Sequence, residues 1–325
     1  MTRKNNASAL IIFLVMLAGI AVPLHAASPG ERISFGEVWA YLMNGEESYL
    51  ARTGSVSDLC YFSAEINAYG ELTGVPNISK LANFKGRKHL VVAELGSYSL
   101  THFCLDPAYP IRDRLIAEIL LASAPYDGVQ IDFEAIPLRD RDNFVTFLAM
   151  LKDGLGSKIL SVALPARLSD AGDTLGYARI AAIVDRVFIM AYDEHWSTSP
   201  PGPVASMEWC SRVARFAASR IEARKLIMGL PFYGRAWGSV MPNRAYKHSG
   251  IESLKEEKGI EVLSRENGIP RFRYEENVIV EVYYDDAESL SHRLQLYRNA
   301  GIRSVGFWRL GQEDYALWDR IGLYP

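Results

Sequence analysis

Three polar residues at alternate positions of one short segment, residues 126–134, are the strongest candidates for chemistry in this chain. Gln130, Asp132 and Glu134 are separated from one another by single apolar residues. On a β-strand such side chains share one face, and successive members lie about 7 Å apart. Burying two carboxyl groups and an amide is costly unless they are paired or used. The spacing suits general acid–base catalysis, with a structural hydrogen-bond network and a divalent metal site as alternatives.

The rest of the chain alternates strand-like and helical patterns, which must position this segment. The strand-like runs are short and continuously apolar, as is typical of parallel strands covered by helices. Eight occur, at residues 35–42, 59–67, 89–95, 128–133, 159–164, 186–191, 226–230 and 304–308. Helical patterns between them include residues 111–122, 141–155, 205–223 and 288–300. The alternation predicts an α/β fold, a closed (β/α)8 TIM barrel. An open doubly wound sheet is disfavoured because no glycine-rich phosphate turn follows the first strand.

Residues 236–282 interrupt this alternation between the seventh and eighth strands. They contain a helical stretch at 251–258 and two strand-like runs at 271–274 and 278–284. We expect a small α+β insertion on one barrel domain that spans residues 34–325. Loops that follow barrel strands lie at the C-terminal face, where barrel enzymes place their active sites. The acidic segment ends the fourth strand, at that same face.

Four motifs in barrel order resemble those of glycoside hydrolase family 18, the chitinase-like barrels. Residues 127–134 (Asp-Gly-Val-Gln-Ile-Asp-Phe-Glu) resemble the family's fourth-strand motif, Asp-Gly-x-Asp-x-Asp-x-Glu. Met-Ala-Tyr-Asp at 190–193 resembles the family's sixth-strand motif. Gly-Leu-Pro-Phe-Tyr-Gly-Arg at 229–235 resembles its seventh-strand motif, and Gly-Phe-Trp-Arg-Leu-Gly at 306–311 resembles its eighth-strand motif. The resemblance covers nearly all of the chain after the N-terminus. With the Tyr-Tyr-Asp-Asp run at 283–286, the last strand is most similar to the branch that contains bacterial spore-cortex and peptidoglycan hydrolases.

The resemblance implies a glycosidase that cleaves β-1,4 bonds after N-acetylglucosamine, in chitooligosaccharides or peptidoglycan. In that family the substrate's own acetamido oxygen attacks the anomeric carbon, so no enzyme nucleophile is used and configuration is retained. Glu134 would protonate the departing oxygen and then deprotonate the incoming water. Asp132 would hydrogen-bond the acetamido N–H and stabilise the positive oxazolinium intermediate. Tyr192 would donate its hydroxyl to the acetamido oxygen and hold it in line.

The same resemblance implies a set of substrate-binding residues around these three: Gln130, Met190, Asp193, Tyr233, Arg235, Trp308 and Tyr41. Trp308 would stack under the apolar face of the sugar ring. Asp193, Tyr233 and Arg235 would hold hydroxyls and the acetyl group. Neither a metal ion nor a cofactor is expected.

Two departures from the family pattern bear on mechanism and substrate. Gln130 stands where many chitinases have the middle aspartate; an amide can hydrogen-bond Asp132 but cannot share a proton with it, so the coupling of pKa values should differ. The third-strand Ser-x-Gly-Gly of many chitinases is replaced by Glu-Leu-Gly-Ser at residues 94–97. This replacement disfavours crystalline chitin as the substrate.

Composition and charge indicate a folded protein whose partner is a glycan. The chain has 325 residues, of which 49% are hydrophobic and 11% aromatic, and this composition excludes a disordered chain. Its net charge is −3 with no cluster of basic residues, which argues against nucleic acid as a partner. The sequence carries no signal for an oligomeric state. Cys60, Cys104 and Cys210 allow at most one disulfide, and buried free thiols are the simpler expectation.

The N-terminus has the layout of a secretory signal peptide. Arg3 and Lys4 precede an apolar run over residues 9–22, and the small residues Ala26 and Ala27 follow. The run is shorter than the roughly 20 residues that a membrane-spanning helix needs. We therefore expect residues 1–26 to be removed, leaving no stable membrane span. The expected location is secreted, periplasmic or at the cell envelope.

Two other functions compete with hydrolysis. A non-catalytic sugar-binding lectin could use the same barrel, since fold alone does not determine function. Such relatives commonly lack the catalytic acid, so the presence of Asp132, Glu134 and Tyr192 favours an enzyme. A metal-dependent phosphatase or nuclease would require further histidines or acids at the strand ends, and sensitivity to EDTA would indicate it.

Overall fold

The computed structural model describes residues 32–239, 243–275 and 278–324. Within them, eight parallel strands form the centre of the fold: β1 (Glu37–Met43), β2 (Asp58–Ile66), β3 (Arg87–Glu94), β4 (Gly128–Phe133), β5 (Ile159–Pro165), β6 (Arg186–Met190), β7 (Leu226–Pro231) and β8 (Ser304–Trp308). The α-helices in the described residues are α1 (Tyr98–Leu105), α2 (Ile111–Ala122), α3 (Arg141–Leu155), α4 (Tyr177–Ile183), α5 (Met207–Arg220), α6 (His248–Glu257) and α7 (Ala287–Asn299).

The eight strands close on themselves. Each pairs in parallel with the next along the chain, and β8 pairs with both β7 and β1. Helices follow the strands and cover the outer face, because parallel strands need a crossover connection. The predicted (β/α)8 barrel with an insertion between the seventh and eighth strands is therefore confirmed.

The outer helices are held by apolar stripes at helical spacing. In α3 the buried residues repeat every three or four positions and face the strands: Phe144, Phe147, Leu148, Leu151 and Leu155. Helix α5 begins later than the apolar pattern suggests because the Ser206 side chain accepts a hydrogen bond from the Trp209 N–H, which caps the helix. The β-strands are thus covered on the outside and leave only their inner face for polar groups.

Aromatic side chains occupy much of the barrel interior, and Phe188 is one of them. Phe188 on β6 is fully buried and points toward β7 and β8. A Cβ atom on Gly229 would lie 2.7 Å from Phe188 Cε1, and one on Gly306 would also overlap this ring. Glycine on β7 and on β8 is therefore what gives the ring its space. The buried polar residues Gln130 and Asp132 lie on β4.

An ion network closes the N-terminal end of the barrel. Glu37 accepts hydrogen bonds from Arg87 and Arg186, and Arg87 also donates to Asp58. The buried His89 ring lies 2.8 Å from Asp58 through Nε2. These charges lie at the N-terminal ends of β1, β2, β3 and β6, so they tie four strands together. The network lies at the end opposite to the acidic residues of β4.

The insertion between β7 and β8 is an antiparallel sheet with helix α6 against it. Its strands, in sheet order, are Arg244–Lys247, Tyr233–Gly238, Ile279–Tyr283, Ile269–Glu275 and Ser264–Glu266. Ile251 of α6 packs in a small core with Phe272 and Val282. Strand Tyr233–Gly238 follows β7 almost directly in the sequence, so the insertion begins beside the barrel mouth.

Shorter elements complete the described structure. Strand Ile33–Phe35 pairs in parallel with Ile321–Leu323, and Leu72–Thr73 pairs with the end of β2. All three cysteines are buried and free. No helix in the described residues is both long and apolar enough to cross a membrane. The predicted signal peptide, residues 1–26, lies outside the described residues.

Candidate active site

Strand β4 carries the three polar residues on its inner face. Gln130 is fully enclosed, Asp132 is 3% exposed, and Glu134 follows the strand and is open at the barrel mouth. The Glu134 backbone N–H donates to the Glu94 carbonyl, 2.9 Å away, which holds the end of β4 against β3. Exposure thus increases along the strand, from an amide inside the barrel to a carboxyl group that solvent reaches.

Both carboxyl groups bind protons more tightly than ordinary acids. Burial, with a smaller contribution from the Glu134 charge, raises the pKa of Asp132 to about 7. Loss of hydration also raises the pKa of Glu134, and the charges of Asp193 and Glu94 add to this effect. A glutamic acid that keeps its proton nearer to neutral pH can donate that proton to a leaving group.

Tyr192 and Asp193 follow β6 and face the same pocket. Burial, and next the charge of Asp132, raise the pKa of Tyr192 well above its ordinary range, so its hydroxyl stays a hydrogen-bond donor. Asp193 adopts a positive φ of 58° and accepts hydrogen bonds from Tyr233 Oη at 2.7 Å and Arg235 Nη2 at 2.8 Å. The Tyr192 and Tyr233 rings meet edge to face, with centroids 6.4 Å apart. A rigid polar wall results, with hydroxyl and guanidinium groups held by one carboxylate.

Aromatic side chains form the floor of the pocket. Trp308, at the end of β8, contacts Tyr41 and Phe62 edge to face, with centroid distances of 5.0 Å in both cases. Met190 and Tyr192 pack against the same cluster. Burial, and then the charges of Cys60 and Asp132, raise the pKa of Tyr41 well above its ordinary range. The floor is therefore apolar and neutral, which suits stacking against a sugar ring.

The structure brings the ten residues proposed from sequence to one end of the barrel. Asp132 lies on β4 and Glu134 directly follows it, and the others come from strands and loops around the same opening: Tyr41, Met190, Tyr192, Asp193, Tyr233, Arg235 and Trp308. Gln130 differs from them, since it lies one layer deeper and has no exposed surface. Any effect of Gln130 on a bound sugar must therefore pass through its neighbours.

Glu94 is a charged neighbour of the acid that sequence reasoning did not select. It ends β3, is 8% exposed, and accepts hydrogen bonds from the Ser97 N–H at 2.9 Å and the Thr101 hydroxyl at 2.8 Å. Its charge contributes to the raised pKa of Glu134. It also lines a cavity of about 230 Å³ together with Ser63, Glu65, Ile66, Ala93 and Leu95. The sequence feature that could have identified Glu94 is its position as an acid at the C-terminal end of a predicted barrel strand.

One group in the described residues has the composition of a metal site, and it does not include the β4 acids. His102, Asp106 and Asp140 have potential ligand atoms within 4.8 Å of one another. Asp140 is already engaged, because His102 Nδ1 lies 2.9 Å from its carboxylate and the Asn143 amide donates to it at 3.0 Å. These hydrogen bonds connect α1 to the segment after β4, and they explain why the three side chains lie together.

One known family and several of its members match this chain in sequence. The sequence profile of the family described as "Glycosyl hydrolases family 18" matches residues 113–313, more than half of the chain. YdhD of Bacillus subtilis is 35% identical over 214 residues, covering 61% of this chain and 51% of YdhD. The cortical fragment-lytic enzyme of Bacillus anthracis is 27% identical over 277 residues, covering 78% of this chain and 64% of that enzyme. The chain thus spans about half to two thirds of the length of these two relatives.

A solved structure extends the similarity to the whole barrel. The spore cortex-lytic enzyme SleL of Bacillus cereus superposes with a TM-score of 0.81 at 25% identity, covering 90% of this chain and 76% of SleL. The fourth-strand acids, the polar wall and Trp308 of the aromatic floor lie within the part of the chain that the family profile matches, whereas Tyr41 and Phe62 precede it. The chain belongs to glycosyl hydrolase family 18, a family of glycosidases.

Proposed function

We propose that this glycosidase cleaves β-1,4 bonds on the reducing side of N-acetylglucosamine by substrate-assisted, retaining catalysis. The observation that carries the proposal is the pair Asp132 and Glu134, both with raised pKa values, at the mouth of a barrel whose floor is Trp308. The hydroxyl of Tyr192 faces the same space. An acid, an assisting carboxyl group and a neutral donor around an apolar floor are the parts that this chemistry requires.

In the first step the glycosidic bond breaks as the acetamido oxygen attacks the anomeric carbon. Glu134 transfers its proton to the departing oxygen, so the leaving sugar departs as a neutral alcohol. Asp132 accepts a hydrogen bond from the acetamido N–H, and its negative charge stabilises the positive oxazolinium that forms. Tyr192 donates a hydrogen bond to the acetamido oxygen and orients it for attack.

In the second step water attacks the anomeric carbon from the side that the leaving group vacated. Glu134, now ionised, removes a proton from that water and returns to its acid form. The acetamido group is restored, and the product retains the β configuration because two inversions have occurred. No bond to the protein forms at any stage, which agrees with a site in which a carboxylate nucleophile is not needed.

We propose that the substrate is the glycan of bacterial cell wall or the related chitooligosaccharides. The relatives support the cell-wall glycan, since their names describe enzymes that lyse cortical fragments and spore cortex. The apolar floor and the polar wall of Asp193, Tyr233 and Arg235 would accept the N-acetylglucosamine ring common to both polymers. We also propose, from the N-terminal pattern alone, that the protein acts outside the cytoplasm; N-terminal sequencing of the mature protein tests this.

The experiment compares wild-type protein with Glu134→Gln on chitooligosaccharides and on muropeptides, with products read by mass spectrometry. We expect wild-type cleavage after N-acetylglucosamine and, for Glu134→Gln, a loss of at least about 10²-fold in kcat with oligosaccharide affinity retained. Glu222→Gln, an exposed carboxyl group paired with Arg224, is the matched control. A thiazoline inhibitor should bind tightly, because it mimics the cyclised acetamido group.

Two outcomes would reject the proposal. Full turnover by Glu134→Gln would show that Glu134 is not the acid. Binding of oligosaccharides without cleavage by the wild-type protein would instead indicate a sugar-binding lectin built on the same barrel.

A further inference from the structure

Four polar atoms inside the barrel are buried without a hydrogen-bond partner among the described residues. They are both amide atoms of Gln130, the Oδ1 atom of Asp132 and the Nδ1 atom of His89. Gln130 and His89 have no exposed surface, and Asp132 is 3% exposed. Buried polar atoms are nearly always satisfied by protein or by ordered water, because leaving one unsatisfied is costly. Three of the four belong to neighbouring residues on the inner face of β4, directly beneath the opening.

The strand beside Gln130 supplies a further buried hydroxyl. Ser161 of β5 is the register partner of Gln130, so both face the interior about 5 Å apart. Its hydroxyl is fully buried and, among the residues that the structure describes, makes only a long hydrogen bond of 3.4 Å to the Val129 carbonyl. Ala93, the register partner of Asp132 on β3, adds little volume. The paired strands therefore place a hydroxyl beside Gln130 and a methyl group beside Asp132.

We propose that a buried water bridges the Gln130 amide, the Ser161 hydroxyl and Asp132 Oδ1, making Gln130 and Ser161 positioning residues for Asp132. A buried water typically makes about three hydrogen bonds, and this site offers three partners of mixed donor and acceptor character. The catalytic consequence rests on the role proposed above for Asp132. The existence of the water site does not depend on that role.

The bridge would suit a carboxyl group that changes its protonation state. A water molecule can donate to Asp132 when that group is ionised and accept from it when it is protonated, whereas a direct contact with the Gln130 amide would need the amide to flip between its N–H and its carbonyl oxygen. Water-mediated hydrogen bonds are nearly as favourable as direct ones. The bridge therefore fixes the plane of the carboxyl group in both states.

Other titratable groups near Asp132 do not change charge in the working range of pH. Tyr41 on β1, Cys60 on β2 and Tyr192 after β6 have pKa values raised by burial, so they remain neutral. Glu134 is the remaining group whose ionisation acts on Asp132. A shift in the acid limb of the pH profile on changing Gln130 can therefore be traced to the bridge or to Glu134.

The kinetic test uses Gln130→Met and Ser161→Ala, which remove the partners of the water while keeping similar volume. We expect kcat to fall roughly tenfold, the value expected for losing one hydrogen bond, with KM within about twofold of wild type. The acid limb of the kcat profile should move to higher pH, because losing a donated hydrogen bond disfavours ionised Asp132. Gln130→Asn retains an amide and leaves space for water, so it should restore most of the wild-type profile.

Val91→Ala is the matched control, since Val91 is the other register partner of Gln130 and is apolar and buried. It should lower the melting temperature while leaving the pH profile unchanged. A crystal structure at about 1.5 Å resolution should show a water peak within hydrogen-bonding distance of all three groups. The proposal is overturned if the density shows Gln130 bonded directly to Asp132, or if Gln130→Met keeps the wild-type pH profile. If the wild-type protein cleaves no glycan, the proposed function fails, while the crystallographic result still decides the water site.

Discussion

Asp132 and Glu134 are two residues apart on one strand, yet their surroundings give them different properties. Asp132 is enclosed by Tyr41, Cys60 and Tyr192, so burial dominates its pKa. Glu134 is open at the barrel mouth, and its pKa also reflects the charges of Asp193 and Glu94. An exposed acid can reach a leaving group and then a water molecule, whereas an enclosed carboxyl group can act only on what is already bound.

Changing Asp132 to Asn should separate charge from shape. The variant keeps the size of the side chain but cannot carry the negative charge that would stabilise an oxazolinium. We expect kcat to fall by roughly 10²–10³-fold, the range seen when one preorganised electrostatic group is removed. The affinity for a thiazoline inhibitor, measured by competition kinetics, should fall in the same variant. A kcat within tenfold of wild type would contradict the role of Asp132.

Changing Glu94 to Gln should move the alkaline limb of the pH profile. Removing the Glu94 charge favours the ionised form of Glu134 and so lowers the raised pKa of that acid. Because the first step needs protonated Glu134, kcat/KM should decline at a lower pH than in wild type. The matched control is Glu65→Gln, a second carboxyl group on the wall of the same cavity. An alkaline limb that stays in place, or moves upward, would show that Glu94 does not act on Glu134.

At the scale of elements, the barrel strands shape the interior with glycines, which lack a side chain, as well as with the polar side chains that they carry. Gly229 on β7 and Gly306 on β8 leave space for the Phe188 ring inside the barrel. The insertion supplies side chains to the site: its strand Tyr233–Gly238 carries Tyr233 and Arg235, which donate hydrogen bonds to Asp193. Part of the polar wall therefore comes from a sheet outside the barrel.

Changing Gly229 to Ala should destabilise the barrel without adding or removing a polar group. The new Cβ would lie 2.7 Å from Phe188 Cε1 and 2.8 Å from the Ile189 carbonyl oxygen, too close for either to be accommodated without movement. We expect a loss of about 1–3 kcal/mol in the free energy of unfolding, typical of overpacked cores. Denaturant unfolding followed by circular dichroism measures this. Gly96→Ala is the control because no atom lies within 4 Å of the added Cβ, and equal losses in both variants would contradict the explanation.

At the scale of the whole molecule, the two ends of the barrel shift the pKa values of their carboxyl groups in opposite directions. The C-terminal end holds carboxyl groups whose pKa values are raised by burial. At the N-terminal end, burial alone would raise the pKa of Asp58, but hydrogen bonds from His89 and Arg87 bring it below its ordinary value. The same balance, with hydrogen bonds from Arg186 and Trp39, lowers the pKa of Glu37.

The lowered pKa of Asp58 predicts how stability depends on pH. A carboxyl group with a lower pKa in the folded state contributes stability above its unfolded pKa of about 3.9, and this contribution is lost as pH falls through the folded pKa. The free energy of unfolding should therefore decline below about pH 4. Asp58→Asn should lower it by about 1–3 kcal/mol at neutral pH and flatten the decline. Asp142→Asn, on an exposed pair with Arg179, should do neither; a steep acid decline that persists in Asp58→Asn would assign it to other groups.

Much of the fold and of the site could be predicted because it depends on local periodicity. Alternation along residues 128–134 places Gln130, Asp132 and Glu134 on one face whatever the surroundings, and continuous apolar runs mark strands that are covered by helices. The bounds of β4 and β8 agree with the apolar runs for the same reason. Closure of the barrel follows from eight repeats of one unit.

Only the tertiary structure decided the features that depend on residues far apart in the sequence. Strand Tyr233–Gly238 was not recognised because it contains two glycines, and it is stabilised by pairing with Ile279–Tyr283. The effect of Glu94 on Glu134 needs β3 and β4 side by side, and Ser161 lies beside Gln130 only because β4 pairs with β5. The sequence alone thus determined which chemical groups share a face, since side-chain direction repeats with the backbone. Their pKa values, partners and access to solvent arose from packing, which is set by contacts across the whole chain.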